Sequence, residues 1–188
     1  MPERLPITTY GMEILKKKSL PVKKIDNTII TLVENMFFTM RNGDGIGLAA
    51  PQVNQNLEIA IVDISCIEKH KDSKPLLMIN PKIEDIHGEI VMSEGCLSIP
   101  EVRADVLRPE QIFLKYYDLS MNEIKQEYND LMARVIQHEI DHLNGILFID
   151  HLEKDERKKI KKQLSDIRKG KVNADYPLHI YSDDFHGY

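Results

Sequence analysis

Two histidines four residues apart, with a glutamate beside the first, carry the clearest chemistry in the chain: His138-Glu139-Ile140-Asp141-His142. Positions i and i+4 share one face of a helix, so both imidazoles can reach a single ion. Glu139 lies next to them and can handle the proton of an activated water. The flanking Leu131, Met132, Val135, Ile136, Ile140 and Leu143 make this a core-facing helix rather than a solvated one. Two imidazoles and a carboxylate in such a helix need partners. A catalytic zinc-type site asks for a third protein ligand and an open position. Cys96, in Glu94-Gly95-Cys96-Leu97-Ser98, is the best candidate. A thiolate beside a dication is deprotonated outright, and Gly95 lets backbone approach closely. Taken alone, Cys96 reads as a buried inert thiol; Cys66, at the edge of a polar loop, is read as structural. The third segment is Gly45-Ile46-Gly47-Leu48-Ala49-Ala50-Pro51-Gln52. It is no phosphate loop, since no Lys-Ser/Thr follows. Its small residues can lie flat against a substrate backbone, and Gln52 can offer an amide donor to an oxyanion. Without the other two segments it would be a plain helix-to-strand connection.

The elements that must position these residues follow from periodicity. Asn27 to Met40 has helical spacing (Ile29, Leu32, Val33, Met36, Phe37, Met40), with Asp26 or Asn27 as N-cap and Gly43 near the stop. Leu57 to Ile64 and Leu76 to Ile79 read as strands, with a polar loop from Cys66 to Lys74 between them. Glu89 to Met92, Val102 to Leu107 and Ile112 to Asp118 read as further strands, and Ser120-Met121-Asn122 as a turn into a return strand, Glu123 to Tyr128. Asn129 is placed to cap the histidine helix, which closes at Asn144-Gly145. A last helix from Asp155 to Lys169 carries a thin apolar stripe of Ile160, Leu164 and Ile167, and Gly170 ends it. Strands come in a block with helices before and after. The expected class is therefore α+β: antiparallel or mixed sheets around a central metal-binding helix, with an N-terminal and a C-terminal helix.

At 188 residues the chain fits one domain, read as 1–171, followed by a His-, Asp- and Tyr-rich tail, 172–188. Two cysteines make no disulfide framework. No run approaches a membrane span, and the first ten residues have no signal-like apolar core, so the expected location is the cytoplasm. A net charge of −5 argues against general DNA binding. Charge is uneven, however: Lys154 to Lys171 holds nine Lys/Arg against three Asp/Glu.

Together and in this order, Gly45 to Gln52, Glu94 to Ser98 and Gln137 to His142 resemble the signature segments of the peptide deformylases. The similarity runs from about Ile7 to about Leu152. The resemblance implies a hydrolase that removes the N-formyl group from the initiator methionine of nascent polypeptides. It implies one divalent ion per chain, with Fe(II) favoured and Zn(II) a common occupant. Cys96, His138 and His142 would hold the ion, the fourth position being left to water. Glu139 would shuttle the proton, while Gln52 and the backbone N–H of Leu97 would hold the oxyanion. Gly47 would bond the substrate backbone. Ile46, Leu131, Val135 and the His138 ring would line a methionine pocket, with Arg134 at its mouth or turned to solvent. Glu94 would pair with Arg103 to steady the Cys96 loop. The basic C-terminal helix would make weak, salt-dependent contact with ribosomal RNA. Two other readings of the histidine helix remain: a zinc endopeptidase, whose third ligand would be a downstream residue such as His151 or Glu153, and a closed structural metal site, which would need a fourth protein ligand.

Overall fold

The computed structural model describes residues 1–180. The class is mixed α+β. A five-stranded antiparallel sheet has the order β2 (Gly47–Ala49), β3 (Ile59–Val62), β4 (Leu76–His87), β7 (Gln111–Tyr117), β8 (Glu123–Asn129). A hairpin of β5 (Ile90–Cys96) and β6 (Ile99–Arg108) stands apart from it. A short parallel pair joins the chain's two ends: β1 (Ile7–Thr8) runs beside β9 (Leu178–His179).

Helix α1 (Asn27–Arg41) starts where expected, with the Asp26 side chain accepting from the Ile29 N–H at 3.1 Å. It buries Val33, Met36 and Met40 against Leu48, Ile59, Ile61 and Ile79. Helix α2 (Asp130–Leu143) packs on the other side of the sheet, where Ala133, Val135, Ile136, Ile140 and Leu143 meet Ala60, Val62, Met78, Ile112 and Leu114. The sheet between two helices thus explains why the residues of β3 are buried on both faces. A third cluster, with Leu15, Ile99, Val102, Val106 and Phe148, ties the hairpin to the C-terminal helices.

The sequence expectation lacked β1, β2 and β9 and ended β5 at Met92 rather than Cys96, and two further elements differ from it. Strand β4 does not stop at Ile79 but continues through Asn80-Pro81 to His87. A register shift between Ile79 and Lys82 absorbs the proline, which cannot donate to a regular ladder. Asn80, at φ 50°, uses its side chain to bond the N–H and C=O of Val22. The last helix is broken at Ile160 into α3 (Lys154–Lys159) and α4 (Lys161–Arg168). Only α4 buries residues, Leu164 and Ile167, and the break turns that pair onto the third cluster while α3 stays on the surface. Among the described residues no helix is long and apolar enough to cross a membrane.

Candidate active site

Because α2 is buried, its polar residues are held within the protein rather than in water. His138 and His142 stand one turn apart, their rings 5.0 Å between centroids at 76°. Cys96 ends β5 and brings its Sγ to 3.2 Å from His142 Nε2. The donor atoms of Cys96, His138 and His142 all lie within 4.8 Å of one another, and no other such group of three occurs among the described residues. One soft thiolate and two imidazoles suit a divalent transition metal rather than magnesium or calcium. The second layer fits too: His138 Nδ1 is bonded to Glu94 Oε2 at 2.9 Å, which leaves Nε2 free as the donor. Neither His151 nor Glu153 joins the group; His151 Nε2 turns instead to Asp141 Oδ2 at 2.7 Å.

Glu139 is 3% exposed, and its Oε2 is buried with no hydrogen-bond partner. Burial pushes its carboxyl up to about 7, against the pull of His138. Only a glycine allows this placement, since a Cβ on Gly47 would sit 2.3 Å from Glu139 Oε1. Gln52 is buried, and its carbonyl accepts from the Ala49 N–H at 2.8 Å. That bond fixes which way the amide points. Its Nε2 then donates toward Cys96 Sγ at 3.4 Å and Ser98 Oγ at 3.3 Å.

A cleft of about 660 Å³ opens over these groups. Its walls include Ile46, Gly47, Gln52, Cys96, Leu97, Leu131, Arg134, Val135, His138 and Glu139, so ten residues singled out from sequence converge on one cavity. His142 is 1% exposed and sits behind Cys96.

The expected Glu94–Arg103 pair does not form. Glu94 is instead bonded by Arg108 at 2.6 and 3.0 Å, by Arg134 at 2.7 Å and by His138. Register decides this: Gly95 faces Arg103, so Arg103 sits on the exposed side of the hairpin, while Arg108 shares the buried side with Val102 and Val106. That alternation was a signal available in the sequence. The anionic form of Glu94 is favoured: burial opposes it, but bonds from His138 and Arg108 hold the carboxyl well below the usual range. Arg134 is buried rather than turned to solvent, its guanidinium also bonding Val106 O at 2.7 Å and Ile90 O at 2.5 Å. Arg108 continues to Asp141 Oδ2 at 2.6 Å. Residues 173–176 also line the cleft, and nothing in the composition of that segment pointed there.

The sequence profile of the polypeptide deformylases matches residues 4–158. The chain belongs to the peptide deformylase family. Among curated peptide deformylases, that of Chlorobium phaeovibrioides is 49% identical over 174 residues, covering 93% of this chain and 92% of its own. That of Chlorobaculum tepidum is 48% identical over 174 residues, with 93% of each chain covered. Solved deformylases share the fold. The Legionella pneumophila enzyme superimposes with a TM-score of 0.81 at 34% identity, covering 89% of this chain and 96% of that one. A peptide deformylase of Acinetobacter baumannii, solved with Met-Ala-Ser bound, gives 0.76 at 34% identity, with 81% and 100% covered.

Proposed function

We propose that this chain hydrolyses the N-formyl amide of N-formylmethionyl nascent peptides, releasing formate and a free methionine amine. The observation that carries the reading is the convergence of Cys96, His138 and His142 under a peptide-sized cleft with the unpartnered carboxylate oxygen of Glu139 beside them. Cys96 Sγ and the two histidine rings are the ligands of one divalent ion. Fe(II) is the assigned occupant, and Zn(II) is the alternative that the same donors accept. When bound, the ion supplies Lewis acidity, which makes a water nucleophile available near neutral pH.

The protein groups do the rest. Glu139 takes a proton from the attacking water and delivers it to the leaving amine nitrogen, since its carboxyl is held where it can both accept and give. Gln52 Nε2 and the Leu97 N–H meet the oxygen on which negative charge develops; one such donor is typically worth about 10²–10³ in rate. Gly47 bonds the peptide backbone at the cleft edge. Ile46, Leu131, Val135 and the His138 ring form the methionine pocket. Arg134 borders it, and because its guanidinium is committed to Glu94 and two carbonyls it stiffens the wall. That a related deformylase of Acinetobacter baumannii was solved with Met-Ala-Ser bound supports a methionyl peptide as the class of ligand. Such a substrate supports a location where nascent chains are made, for which the cytoplasm is the assigned compartment. Exposed Lys161 and Lys162 on α4, with Lys158 on α3, support a weak contact with ribosomal RNA.

The test is formate release from formyl-Met-Ala by protein purified without air, together with metal analysis of the same sample. Formate production with about one metal per chain is expected. Cleavage of internal peptide bonds without formate would indicate an endopeptidase, and metal without either reaction a structural site.

A further inference from the structure

The turn that carries the Leu97 N–H is held from outside by the two ends of the chain. Cys96 closes β5 and Ile99 opens β6, so Leu97 and Ser98 are the whole of the connection. The Ser98 carbonyl accepts from the Tyr10 N–H at 2.8 Å. The Leu97 carbonyl accepts from the Tyr176 hydroxyl at 2.9 Å. Tyr10 and Tyr176 belong to one small unit, because Tyr10 closely follows β1 and Tyr176 closely precedes β9. Ile7 N–H to Pro177 O at 2.8 Å and Thr9 N–H to His179 O at 3.0 Å lock the two strands together. The C-terminal segment is tied down a second time where Arg4 Nη2 donates to Asp175 O at 2.9 Å. The Tyr176 ring packs among the apolar residues around α1, beside Gly43.

We propose that Tyr176 is a positioning residue for the reaction, and that the β1–β9 pair clamps the Leu97–Ser98 turn so that the Leu97 N–H meets the oxyanion. A two-residue turn has few bonds of its own to fix its peptide planes. Two successive planes here, Leu97–Ser98 and Ser98–Ile99, have an external partner, one from beside each terminal strand, and the plane that carries the Leu97 N–H adjoins the first of them. Freeing the Leu97–Ser98 peptide would leave ψ of Leu97 unfixed, and the adjoining Cys96–Leu97 peptide, which carries the N–H, could then readjust and turn it off the developing charge. Oxyanion stabilisation depends on donors aimed in advance, so a loosened turn costs rate more than substrate affinity. Residues 172–180 are in this view part of the catalytic body.

The inference rests on the Leu97 role given under Proposed function, and the experiment separates the two. Tyr176→Phe keeps the ring packing and deletes the one hydroxyl. The parent and variant enzymes are compared for metal content and for kcat and KM on formyl-Met-Ala-Ser. For the variant, metal should be unchanged, kcat should fall about 5–50-fold and KM should change less than about twofold, the range lying between loss of a hydrogen bond and loss of an oxyanion donor. A variant with the parental kcat overturns the inference even if its melting temperature falls, because a purely structural tyrosine would move stability alone. An equal kcat loss that comes with metal loss also overturns it. If the parent enzyme itself releases no formate, the failure lies with the functional reading and not with Tyr176.

Discussion

Gly47→Ala is the sharpest test of how Glu139 is placed. The added Cβ would lie 2.3 Å from Glu139 Oε1, 2.9 Å from its Cδ and 2.7 Å from Val135 Cγ1. Ordinary contact begins near about 3.5 Å, so the carboxylate must retreat by about 1 Å or the strand must move. Oε1 is not the far end of a free surface chain, since Glu139 is buried in α2. A displacement of about 1 Å in a catalytic group costs on the order of 10² in rate. Overpacking of this kind costs about 1–3 kcal/mol of stability, which in a chain of this size lowers Tm by about 2–12 °C. The three atoms nearest the new methyl belong to Glu139 and Val135, and none is a proposed metal donor, so metal content should stay at the parental level. Formate release from formyl-Met-Ala, metal analysis and a thermal melt on the same preparation give all three quantities. A folded, metal-replete Gly47→Ala enzyme with activity within about threefold of the parent would refute the reasoning, because Glu139 would then not depend on that close approach.

The remaining expectations concern single groups. Glu139→Gln should retain the metal and lose nearly all activity; loss of metal instead would mean that Glu139 is a ligand. Cys96→Ser should strip or greatly weaken metal binding while Cys66→Ser, exposed in its loop, does little; equal effects would undo the ligand assignment. Glu94→Gln leaves Arg108 and Arg134 buried without their shared anion, and should cost about 3–5 kcal/mol, or a Tm fall of about 6–20 °C. Because the Glu94 carboxyl titrates well below its ordinary value in the folded protein, its stabilisation is present across the neutral range and is lost as pH falls through that low value. The Tm gap between parent and variant should therefore be constant from pH 8 to pH 6; a gap that vanishes by pH 6 would contradict the anionic assignment. Formyl-methionine substrates should exceed formyl-glycine ones by more than about tenfold in kcat/KM if Ile46, Leu131 and Val135 form an apolar pocket.

What could be read from the chain alone was whatever depends on neighbours within one element. The i, i+4 spacing of His138 and His142 and the apolar stripe around them are properties of a single helix, so both the helix and its two candidate ligands were legible. The same holds for α1 and its Asp26 cap. Signature segments linked Cys96 and Gln52 to that helix, but not the distances. Those needed the hairpin to set Cys96 against His142 across 46 residues of chain. Glu94 was legible but its arginine partner was not, because that depends on which side of β6 each arginine occupies, and strand register is settled by packing of the whole hairpin. The continuation of β4 past Pro81 needed a bulge that local propensity does not announce. The part played by residues 173–176 was invisible for a different reason. Tyr176 reaches Leu97 only because β9 pairs with β1 at the opposite end of the chain, and a contact across 79 residues leaves no periodicity to detect. Local chemistry was written in the sequence; which distant backbone holds it still was decided by tertiary closure.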